Sequence, residues 1–251
     1  MNQILLITDG NSNVGESPVT AAARALAHDI VVNVVGVVDE GDIGREGAAE
    51  IEGIARAGGG MSRIVTAAQL SRTVQMMTQQ TVAGTIRMTV NRELRQLLGV
   101  DSVAELPPPK RAEVVRMMED LSETARLRVA LLIDASASMK PKLAAVEEAI
   151  RDLTLSLQAR QGESAVAVFH FPGESDTQPC VLDLPWTDQV DGLGAIFRKI
   201  RVQGTTPTGP AILHVVEYFR QTCGKIKETA EPSGPWFERE GADVMRSDEV
   251  G

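Results

Sequence analysis

The sequence predicts an α/β fold, a mostly parallel sheet with helices on both faces, and three observations carry that expectation. Short apolar runs recur at 3–8, 30–38 and 61–66, and again at 127–133, 165–171 and 180–184. One of them, IVVNVVGVV at 30–38, is a near-continuous β-branched run, the pattern of a strand covered on both faces. Stretches of helical spacing separate most of the runs, and strand–helix–strand alternation implies parallel pairing.

Taken in order, the first strand leads to a helix over about 17–28, where Ser17-Pro18 offers an N-cap with proline at the first helical position. A second helix over about 44–57 stops at Gly58–Gly60. Residues 68–98 read as one long helix through Leu70, Val74, Met77, Ile86, Val90 and Leu94, with Gly84 a potential break. Pro107–Pro109 then open a short amphipathic helix over about 109–123, within a connector spanning 99–126. The second half runs from the strand at 127–133 to a helix at about 140–160, the strands at 165–171 and 180–184, and a helix near 189–201. A loop, GTTPTGPAI at 204–212, leads into a last helix ending near 222. The acidic remainder, 224–251, has no period and reads as disordered.

With 251 residues, 43% hydrophobic and 24% charged, the chain can bury a sizeable core. A net charge of −9 argues against nucleic acid or an anionic membrane as a general partner. No run approaches a membrane span, and MNQILLITDG shows neither a basic leader nor a cleavage pattern, so a cytoplasmic location is expected. Cys180 and Cys223 lack CxxC spacing, and His28, His170 and His214 are scattered, so a disulfide scaffold or zinc site is not expected.

Chemistry concentrates in three loops. LLIDASASMK, at 131–140, takes an apolar strand into Asp134, Ser136 and Ser138, and the alanines between keep the loop narrow. A carboxylate with two hydroxyls is an all-oxygen set, which hard cations such as Mg2+ favour. The same residues also fit a capped helix in which a serine is the N-cap and Asp134 closes a turn. Lys140 lies beyond the set and reads as solvated. The loop at 204–212 adds Thr205, Thr206 and Thr208, and LLITDG adds Asp9 at the end of another apolar strand.

This combination resembles the von Willebrand factor A (vWA) domain and its metal-ion-dependent adhesion site. That family uses a DxSxS loop, a threonine from a later G-x-T loop and an aspartate closing a strand in T-D-G. Matched residue by residue, the metal set is Asp134, Ser136, Ser138, Thr206 and Asp9, with Thr205, Thr208 and Asn11 beside it as partner-contacting residues. The order of the pieces departs from the family, because the aspartate piece comes first. The resemblance therefore implies a circular permutation, with 1–98 as the latter half of the fold, 127–223 as the first half, and 99–126 joining the former ends. It implies a doubly wound six-stranded sheet in the order 178–184, 164–171, 127–133, 3–8, 30–38, 61–66, the first strand antiparallel. Within the family it is nearest to vWA-like proteins of spore-forming bacilli.

The resemblance implies a non-enzymatic binding module in which Mg2+ or Mn2+ captures an aspartate or glutamate of a protein partner. The chain would act as a monomer or as a dimer that exchanges halves. Two other readings stand beside it: a Mg2+-dependent hydrolase or phosphatase, with His170 at a neighbouring strand end, and a scaffold with a vestigial site. The sequence holds neither a DxDx(T/V) nucleophile nor a G-x-x-x-x-G-K-[ST] loop.

Overall fold

A computed structural model describes residues 1–10, 12–38, 44–173, 178–189, 193–198, 200 and 204–223. The strands are β1 (Asn2–Thr8), β2 (Ile30–Val38), β3 (Gly59–Thr66), β4 (Leu127–Asp134), β5 (Ser164–Phe171) and β6 (Val181–Thr187). The helices are α1 (Pro18–Ala27), α2 (Gly44–Ala57), α3 (Leu70–Leu98), α4 (Pro108–Thr124), α5 (Leu143–Gln158), α6 (Leu193–Phe197) and α7 (Thr208–Cys223). The chain divides into two units, Met1–Glu217 and Tyr218–Gly251. Of the second, the description covers only the last turns of α7, so the acidic remainder at 224–251 lies outside the described residues.

The six strands form one sheet in the order β3-β2-β1-β4-β5-β6. All neighbours are parallel except β5 and β6. From the centre the chain winds outward twice, β1 to β3 on one side and β4 to β6 on the other. Strand order therefore reverses between β1 and β4, which pair directly from Asn2↔Arg128 to Ile7↔Ile133. This is the doubly wound, Rossmann-like α/β arrangement, and its crevice lies at the carboxyl ends of those two central strands.

Burial follows the period of two expected for strands. Leu5, Ile7, Val35, Val37, Leu131, Ile133 and Val168 share one core with Val74 and Met77 of α3, Ile150 and Leu153 of α5, and Phe197 of α6. The intervening residues Ile4, Leu6, Val34, Leu132 and Phe169 are equally buried on the other side of the sheet. There α1 and α2 pack against each other and over β2.

Several local expectations need correction. Ser17 sits at the N-cap of α1 but makes no side-chain capping bond; Pro18, with its fixed φ, starts the helix. Gly58–Gly60 is more than a helix stop, because Gly59 already opens β3 at φ 65°. A Cβ on Gly60 would lie 2.2 Å from Val32 O, so only glycine lets β3 approach β2 there. Gly84 causes no break in α3. The expected helix at 140–160 is a 3-10 segment, Ala137–Lys142, followed by α5. Near 189–201 the described helix is α6 alone, with 190–192, 199 and 201–203 outside the described residues.

The connector reaches β4 at the end of the sheet remote from the crevice. Arg160, just past α5, holds it: Nη2 donates to Ser122 O (2.6 Å) and Ala125 O (3.0 Å), and Nη1 to Ser164 Oγ (2.8 Å).

Candidate metal centre

Parallel pairing of β1 with β4 delivers Asp9 and Asp134 to the same edge of the sheet. Asp134, the last residue of β4, has none of its surface exposed. Its Oδ2 accepts from Thr8 Oγ1 at 2.7 Å, and its Oδ1 from the Ser136 backbone N–H at 2.8 Å. Ser136 Oγ lies 3.2 Å from Ser138 Oγ, and Ser138 Oγ donates to Asp9 Oδ1 at 2.8 Å. Four of the residues expected from sequence, Asp9, Asp134, Ser136 and Ser138, thus form one hydrogen-bonded chain drawn from both halves.

Burial pushes the Asp134 carboxyl above its ordinary value of 3.8. The hydrogen bonds from Thr8 and Ser136 oppose the shift, and the nearby Asp9 adds to it. Asp9 has a cation beside it that the sequence reading missed. Lys142 Nζ donates to Asp9 Oδ2 at 2.5 Å, and the two side chains are only 7% and 3% exposed. The signal was its spacing, because Lys142 follows Ser138 by one helical turn, within reach of the same loop. Lys140, the lysine weighed from sequence, is exposed as expected.

Thr206 is buried and belongs to the loop facing the one that follows β1. Its N–H donates to Asn13 Oδ1 (2.8 Å), and its carbonyl accepts from Asn13 N (3.2 Å) and Ser12 Oγ (3.2 Å). Ser12 N in turn donates to Glu50 Oε1 of α2 at 2.7 Å. Burial raises the Glu50 carboxyl, partly offset by that bond. Ser12, Asn13 and Glu50 therefore brace the Asp9 loop against the threonine loop; sequence gave no sign of them, since each pairing depends on chain reversal. Thr205 is exposed and Thr208 is buried as the first residue of α7. Asn11 lies outside the described residues.

The two loops meet closely. A methyl on Gly209 would lie 1.9 Å from Glu16 O and 2.8 Å from Glu16 C. Backbone on both sides cannot yield, so Gly209→Ala is expected to cost about 1–3 kcal/mol of overpacking, read by urea unfolding.

His170 makes none of these bonds. It sits opposite Val181 in the β5–β6 ladder, and its Nδ1 lies 2.7 Å from Asp183 Oδ2. Nearby Cys180 is fully buried, and desolvation first, then Asp183, pushes its thiol up to about 12, which keeps it from being a nucleophile at neutral pH.

Among the described residues no group of three or more His, Cys, Asp or Glu side chains gathers to hold a metal. The cluster has only two carboxylates, and its other oxygens are hydroxyls. Among the same residues, no helix is long and apolar enough to cross a membrane.

The chain is 46% identical over 222 residues to the uncharacterized protein YabS of Bacillus subtilis (strain 168), covering 88% of this chain and 90% of that one. It belongs to the YabS family. A crystal structure of an uncharacterized protein from Alicyclobacillus acidocaldarius superposes with a TM-score of 0.84 at 44% identity, over 90% of this chain and 96% of that one. The six-stranded α/β fold is therefore shared with that protein. No family model matches the chain.

Proposed function

We propose that Asp9, Asp134, Ser136 and Ser138, with Thr206 from the facing loop, hold a divalent cation, Mg2+ or Mn2+, and that the cation captures a carboxylate of a partner protein. The protein would then be a binding module, a circularly permuted relative of vWA domains. One observation carries this reading: Asp134 is a fully buried carboxylate whose bonds all come from neutral donors. A buried carboxylate is costly unless a cation faces it. The oxygens gathered around it, two serine hydroxyls and a second carboxylate, are the donors that a hard cation accepts.

The chain's own groups fit such an ion. Ser136 and Ser138 offer neutral oxygens, so the cation would keep part of its charge. A partner's carboxylate would then make a charge-assisted contact, stronger than a neutral one. The braced loops at 12–13 and 204–208 fix where such a partner could approach.

Thermal unfolding of chelated protein, with Mg2+ or Mn2+ restored, tests the reading. Cation at a hundred times its dissociation constant adds about 2.7 kcal/mol, or about 5–10 °C in Tm for a chain of this size. Ser136→Ala should abolish that rise, and a rise of equal size in both proteins would contradict the site. Mg2+-dependent turnover of a phosphate ester, lost in Ser136→Ala, would favour the hydrolase reading instead.

A further inference from the structure

Lys142 has no part in holding a cation, yet its buried ammonium pairs directly with Asp9 of the proposed centre. It closes the 3-10 segment after Ser138, with Nζ 3.4 Å from Ser138 O and in its ion pair with Asp9. An exposed lysine would leave its charge in water. Here the ammonium and the Asp9 carboxylate are both withdrawn from solvent, so the charge acts in a medium where it is weakly screened.

Resting on the metal reading above, we propose that Lys142 sets the charge of the site and so selects an anionic ligand. Asp9 and Asp134 together would offset much of the charge of a divalent cation, which weakens its pull on an approaching carboxylate. The ammonium beside Asp9 adds positive charge at short range, so the loaded site draws a carboxylate more strongly than the metal set alone would. Two consequences oppose each other. Lys142 weakens cation binding by direct repulsion, and it strengthens binding of a carboxylate to the loaded site. The specificity of the centre for an acidic side chain over a neutral one lies in this residue, not in the metal set alone.

The test uses the full chain and its Lys142→Met and Lys142→Arg variants, with Mn2+ affinity from titration calorimetry and acetate as the anionic probe. Acetate binding is read from the loss of Mn2+-enhanced water-proton relaxation. Lys142→Met should bind Mn2+ at least about tenfold more tightly, given unit charges a few ångströms apart at an effective dielectric of about 20. It should bind acetate several-fold more weakly, and Lys142→Arg should restore both values. If Lys142→Met does not fold, Lys142→Gln, which keeps a donor to Asp9, takes its place with the same expected result. Mn2+ affinity unchanged or weaker in the folded neutral variant, with wild type binding normally, overturns this inference and leaves the metal reading standing. No Mn2+ binding by wild type overturns both.

Discussion

Asp134→Asn is expected to make the metal-free protein more stable than wild type and to remove its response to Mg2+. The asparagine can keep both local bonds, accepting from Ser136 N–H and presenting its amide to Thr8 Oγ1, while deleting a buried charge. The sign with pH follows from burial, which raises the folded carboxyl above its ordinary value of 3.8. Below that ordinary value Asp134 is protonated in both states and the variant gains nothing. As pH rises through the raised folded value, wild type loses stability relative to the variant, and the gap then stays constant. Mg2+ inverts this, because it binds the ionised form and stabilises wild type alone at neutral pH. The check is urea unfolding of both proteins across pH, with chelator and with Mg2+. A metal-free Asp134→Asn that is less stable than wild type at neutral pH would refute the argument from buried charge.

The second large effect lies in the middle of the sheet. Asn33→Ala should cost about 3 kcal/mol or more, because it strips partners from several buried groups worth about 1–3 kcal/mol each. Asn33 is fully buried in the middle of β2. Its Oδ1 accepts from Met61 N at 2.9 Å, and it exchanges bonds with Thr81 Oγ1 at 3.0 and 3.1 Å. Its Nδ2 also reaches Gln3 Oε1 at 3.4 Å. The register of β2 against β3 shifts between Val32 and Val34, so the Asn33 side chain takes over a ladder bond that the backbone gives up. Denaturant unfolding measures the loss, and the Mg2+ response should survive because Asn33 bonds to Gln3, Met61 and Thr81 and to no residue of the candidate centre. A cost under about 1 kcal/mol would mean that this network is not holding β3.

Asp134 and Asn33 illustrate what sequence could and could not convey. The strands were legible because β-branched runs are local, their order only through the resemblance of the loop motifs, and Asp134, Ser136 and Ser138 because they stand at alternate positions in one short stretch. Asn33 interrupts a β-branched run without any local cue to the bulge that it completes. Lys142, Ser12, Asn13 and Glu50 acquire their roles only when β1 and β4 lie side by side and when α2 and the start of α7 close over the Asp9 loop. Thr8 was passed over although it adjoins Asp9, because its hydroxyl turns to Asp134 on the neighbouring strand. Long-range pairing, invisible to spacing, separates most of the residues missed from those found; Lys142, one helical turn past Ser138, had a local cue as well.

The central claim is that one divalent cation binds between Asp9 and Asp134. Electron paramagnetic resonance of free Mn2+, titrated into chelated protein, tests it most directly. The account predicts loss of the free-ion signal with one Mn2+ bound per chain in wild type and none in Asp134→Asn. Free signal that matches buffer throughout the wild-type titration, or binding of equal strength in Asp134→Asn, would contradict it.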